Sequence, residues 1–256
     1  MRTIFTQLFS ATKLLVPTKR YRWQLMLLVL IAALIPVTEL LVAKLFTDLV
    51  IAGNSRPVSE IILQLVLFAF LFVSTRTINY LQKTYRVKFF DKAFGADTRE
   101  KSSTKESWEW AMGLELVNAL SFITQILVIA SFLAFLSPNF GLLNLVLIAL
   151  VLQLMGVLFK RQLKKQRGFV EKKRAKKTVT PAERLGSRIQ QAEFATLMAS
   201  FGVVVLLGVL IWFSLEGWVS LSNAIVLFLA LRIQNTTFSS VSSSLMRFAR
   251  AKANSF

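Results

Sequence analysis

Six stretches of the chain are apolar over about twenty residues or more, and polar residues collect between them. A helix of about 20 apolar residues crosses a hydrocarbon core of ~30 Å. The pattern therefore predicts an all-α membrane protein with six transmembrane helices. The spans are expected at about 23–50, 59–82, 114–136, 141–159, 195–215 and 218–245.

The connections alternate in length and charge. Three are short: Ile51–Val58, the turn SPNFG at Ser137–Gly141, and EGWVS at Glu216–Ser220. Their single basic residue is Arg56. The other two, Lys83–Gly113 and Lys160–Phe194, carry 7 and 12 basic residues. With the first 22 residues and the C-terminus, 27 of the 31 Lys and Arg fall on one side of the spans. Basic loops stay in the cytoplasm, so both termini are expected there.

Helical signals continue into the basic connections. FKRQLKKQRGFVEKKRAKK extends span four, and TPAE at Thr180–Glu183 is a capping box that starts a helix well before span five. YRVKFFDKAF extends span two, GAD offers a turn, and Ser103 with Glu106 offers a second capping box. Two helical hairpins are thus expected to project inward. At the start, Ile4, Phe5, Leu8, Phe9 and Leu15 share a helical face, which predicts an interfacial elbow helix in 1–22 ahead of the domain 23–250. A short basic tail, 251–256, would follow.

Composition agrees and narrows the chemistry. The chain is 55% hydrophobic, with a mean hydropathy of +0.59, in the membrane class. It has no cysteine and no histidine, so disulfides, thiolate metal sites, His-ligated zinc and His-based triads are excluded. No metal, catalytic or cofactor residue is predicted. The net charge of +18 is a property of the inner loops, not a nucleic-acid footprint.

One stretch breaks the apolar pattern. LRIQNTTFSSVSSSL, residues 231–245, is two-thirds polar yet continues span six. Counted from Leu221, where the helix would enter from outside, Arg232 would lie ~16 Å in at 1.5 Å per residue. Asn235, Thr236, Ser239, Ser240 and Ser243 follow on its face, with Leu231, Phe238, Val241 and Leu245 opposite. A helix polar over much of its circumference does not face lipid, so these residues are expected to line a wet cavity, with Glu39 and Arg76 as further candidates. Glu39 would pair with Arg232 or stay protonated, and Arg76 would snorkel toward the inner headgroups. Lys44 and Asp48 are expected to pair structurally. Gln125, Asn144 and Gln153 are expected to bond between helices, and Pro36 to kink span one.

Several segments resemble the transmembrane domain of an ATP-binding cassette (ABC) exporter. They are LLVPTKRYRWQLMLLVLIAALIPVTELLVAKLFTDLV, YRVKFFDKAF, LSPNFGLLNLVL and EGWVSLSNAIVLFLAL, and the likeness spans almost the whole chain. It is nearest the branch that flips lipid-linked oligosaccharides. The resemblance implies a dimer, with itself, an ABC half-transporter or a separate nucleotide-binding subunit, and a substrate path lined by span six. Two features depart from that family. No GxxxxGK[ST] occurs, so ATP would enter only through a partner. The second hairpin also leaves no room for a transverse coupling helix between Lys177 and Thr180. The expected role is a permease subunit in a multi-pass membrane, the bacterial inner membrane, moving an anionic amphiphile. The alternative is a degenerate, non-transporting domain used for assembly, regulation or anchoring. A secondary carrier would have to rely on Glu39 alone.

Overall fold

The computed structural model describes residues 2–16, 18–52, 57–95, 103–176 and 178–255. Seven helices account for nearly all of them: α1 (Arg2–Leu15), α2 (Lys19–Ala52), α3 (Val58–Gly95), α4 (Ser103–Leu136), α5 (Pro138–Arg174), α6 (Pro181–Leu215) and α7 (Leu221–Asn254). No strand occurs among the described residues. Helices α2 to α7 are each long and apolar enough to cross a membrane, and they coincide with the six expected spans. Helices α3 to α7 also run well past the apolar stretch at the basic end, as the expected extensions require.

The ends of the helices follow from local chemistry. Pro138 and Pro181 each open a helix, where a missing N–H costs nothing. Thr180 Oγ1 accepts the Glu183 amide at 3.2 Å, so the predicted cap is present. The side chain of Ser103 and, of the GAD turn, Ala96 and Asp97 lie outside the described residues. Span six begins three residues later than expected. Ser220 caps Asn223, and Gly217 at φ 73° turns the chain just before it. Trp218 therefore lies in the turn, its ring 5.0 Å from Phe213 and 5.9 Å from Trp212. α2 runs through Pro36 as one helix.

Two arrangements are not visible in the pattern. α7 lies at the centre, packed most extensively on α4 and α6 and also on α5 and α2. Its Leu231, Phe238, Val241 and Leu245 are fully buried. α3 is peripheral: its extended packing is on α2, through the Phe46–Phe68 ring contact and Thr75–Thr38 at 3.0 Å.

A helix, α1, forms at the start of the chain, and its apolar face divides. Ile4, Leu8, Ala11 and Leu15 are buried against the bundle, on α4 and α5, while Phe5 and Phe9 stay exposed. Lys252 Nζ reaches Ser10 Oγ at 3.0 Å, tying α1 to the end of α7. α7 continues to Asn254, with Ala251, Lys252 and Ala253 buried.

Candidate functional site

The polar half of α7 has two sides that differ in their contacts. On the packed side, Gln234 and Asn144 of α5 exchange both amide hydrogen bonds, at 2.9 and 2.7 Å, with both side chains fully buried. Gln125 of α4 donates to Thr237 at 3.0 Å. Ser242 donates to the Ala192 carbonyl at 3.0 Å. Ser200 of α6 donates to Asn235 at 3.0 Å. Nearer the basic end, Ser244 Oγ donates to Glu115 Oε2 at 2.8 Å, and Arg247 Nε meets Glu115 Oε1 at 2.7 Å. In an apolar surrounding each such group needs a partner, and here neighbouring helices supply one.

The other face has no such partners. Arg232, Thr236, Ser239 and Ser243 recur at helical spacing, with Ser240 beside them. Arg232 and Thr236 are exposed, and the serines are half-buried. Thr236 and Ser240 donate to carbonyls of their own helix, Ile233 and Thr236. Arg232 has no hydrogen bond or ion pair among the described residues. Farther along, Arg250 closes the face, its guanidinium 5.4 Å from the Trp108 ring. From Arg232 to Arg250 the stripe is ~27 Å long.

The sequence-predicted residues therefore separate. Arg232, Thr236, Ser239, Ser240 and Ser243 share the open face. Asn235 is turned to its edge by Ser200. Glu39 of α2 is half-buried and does not pair with Arg232, so that expected ion pair is absent. Arg76 is exposed on α3, with its guanidinium 5.7 Å from the Phe72 ring, a turn back along the helix and not onward to the basic end. It lies apart from the α7 face.

At the opposite end, Lys44 Nζ bonds Asp48 at 2.9 Å, Asn223 at 2.7 Å and Ser222 at 3.0 Å. The predicted pair is thus part of a four-residue clasp joining α2 to the start of α7. Sequence reasoning does not single out Gln234, Glu115 or Ser200. Gln234 sits within the polar stretch but on its packed side. Glu115 sits at the edge of span three, where an acid is unremarked.

Near the basic end, α2 and α4 also frame an apolar cavity of about 630 Å³, lined by Trp23, Met26, Leu27, Leu30 and Leu120 among others.

Fold and site together define a multi-pass, all-helical membrane protein whose central helix carries a hydroxyl-rich face with Arg232 unpaired among the described residues. No protein-family model matches the chain, and no curated protein matches it.

Proposed function

We propose that this chain is the membrane-spanning subunit of a transporter for an amphipathic anion, acting as a dimer or with an ATPase-bearing partner. The observation that carries the reading is the open face of α7, Arg232 through Ser243, on the helix that packs against α2, α4, α5 and α6. A guanidinium in the membrane interior requires water, a partner or a ligand. Hydroxyls at successive turns give a path of weak, exchangeable hydrogen-bond sites, which suits passage more than tight binding. Arg232 would attract the anionic part of the substrate, a phosphorylated or lipid-linked saccharide included, and the apolar cavity between α2 and α4 would accept its alkyl part. The layout of six spans with inward helical extensions favours an ABC-exporter-like permease, and the energy of ATP would come through the partner.

One observation favours the second reading, a non-transporting membrane domain that assembles or anchors a partner. Between Arg174 and Pro181 no helix forms among the described residues, so the second hairpin has no transverse element on which an ATPase could push.

Cysteine labelling tests the first reading, because the chain has no cysteine of its own. Single variants Thr236→Cys, Ser239→Cys and Ser243→Cys are expected to react with a water-soluble maleimide at least roughly tenfold faster than Leu67→Cys on α3, since only a wet face admits the reagent. Equal, slow labelling would mean that the face meets lipid or protein, and the transport path would be abandoned. Recovery of an ATPase chain in near-equal amount from mild detergent separates the permease from the anchoring role.

A further inference from the structure

A second feature lies away from α7, on the α5–α6 hairpin at the basic end. The two helices frame a groove with a volume of about 750 Å³. Arg161, Lys164, Lys165 and Lys172 of α5 line it, chiefly with their alkyl stems. None of these four side chains has a hydrogen bond or ion pair among the described residues. Glu171 and Glu193, the acids nearest in sequence, are exposed and do not line it. Its apolar side is Leu158, Phe169 and Phe194, with Phe194 exposed in the groove wall. Gln191 Oε1, also in the wall, is buried and without a hydrogen-bond partner.

Location and direction give these parts a meaning. Leu158 and Phe194 mark the levels at which the fourth and fifth spans meet the charged zone. Side chains on a helix lean toward its N-terminus, so the α5 cations lean back toward the apolar zone. An apolar floor at that level, beneath uncompensated cations, is complementary to a lipid with a negative headgroup. A free phosphate would use the cations and leave the aromatic wall unexplained. We propose that this groove is a binding site for an anionic phospholipid, its phosphate held by Arg161, Lys165 and Lys172 and an acyl chain lying against Leu158 and Phe194. The groove contains no α7 residue, so its test is independent of the reading given to the α7 face.

Gly168 makes the proposal separable from general basic attraction. It lines the groove, and a Cβ there would meet nothing within 4 Å. Gly168→Leu therefore fills the groove without changing charge, and it removes a glycine from a helix interior, which favours the fold.

The experiment is native mass spectrometry of the full chain in detergent, with dioleoyl phosphatidylglycerol or dioleoyl phosphatidylcholine added. The unmodified chain is expected to retain the anionic lipid roughly tenfold better, since each basic residue near a membrane surface favours anionic lipid several-fold. Both R161Q/K165Q/K172Q and G168L should abolish that preference, with helical circular dichroism unchanged. The control K160Q/K173Q/R184Q, with equal charge removed outside the groove, should keep it. Retained preference in G168L, or an equal loss in the control, would reduce the site to diffuse charge and overturn the proposal. Displacement of the lipid by millimolar glycerol 3-phosphate would also overturn it, in favour of a soluble anion.

Discussion

Asn144 and Gln234 present the sharpest residue-scale question, because two primary amides face each other in a fully buried setting. Replacing one, Asn144→Leu or Gln234→Leu, leaves the other with unmet donors and acceptors, at a cost of about 1–3 kcal/mol. The double replacement removes both polar groups and is expected to recover most of that loss. Thermal melting in detergent of the four proteins of the cycle would measure the coupling, expected at or above the ~0.6 kcal/mol average for hydrogen bonds between membrane helices. Additive losses would show that the pair does not act as a unit. Arg232 behaves in the opposite sense. It gives no stabilising contact, so Arg232→Ala should leave melting within about 0.5 kcal/mol of the parent while weakening any anion-dependent activity of the assembled complex. The polar stretch was legible as a string, and so was its division from the apolar residues Leu231, Phe238, Val241 and Leu245. Which polar residues had partners was not legible. Helical spacing places Gln234 and Thr236 within two positions of each other, and only the neighbours in α5 decide that one is satisfied and the other open.

At the scale of elements, close approach separates glycines that look alike in sequence. A Cβ on Gly141 would lie 2.4 Å from the Ala134 Cα, inside the backbone of α4. Gly141→Ala must push α4 and α5 apart at the SPNFG turn, and overpacking of this kind costs roughly 1–3 kcal/mol. Gly208 on α6 has nothing within 4 Å, so Gly208→Ala should be neutral or stabilising by up to about 1 kcal/mol. Melting temperatures that fall equally for both would contradict the packing described for that turn. The elbow helix invites a similar contrast. Leu8 is buried and Phe9 exposed, so Leu8→Ala should release α1 to protease, whereas Phe9→Ser should not. Helix starts and the Thr180 cap were readable because they depend on neighbours within four residues. The docking of α1 was not, since an apolar helical face has the same pattern whether it meets lipid or protein.

Across the whole molecule, the place of α7 goes with its polarity: the least hydrophobic of the six long helices is the one at the centre. In a bilayer an apolar helix gains little from leaving lipid, whereas a helix bearing Arg, Gln, Asn and Ser must find partners. Six spans were legible from length and hydropathy, and that central place could have been inferred from the same polarity. The neighbours could not, because apolar faces carry little that distinguishes one partner from another. Orientation follows from a further property of the whole chain, the concentration of basic residues at one end. If those residues are cytoplasmic, the turn at Glu216 and the hairpin tip at Thr178 face opposite compartments. Both are exposed. On intact cells a membrane-impermeant maleimide should therefore label Glu216→Cys, and it should label Thr178→Cys only after permeabilisation. The reverse order would invert the protein and place the open end of the α7 face, with Arg250, on the outer side. Labelling of both from one side would mean that α6 does not cross the membrane, and the six-span architecture itself would fail.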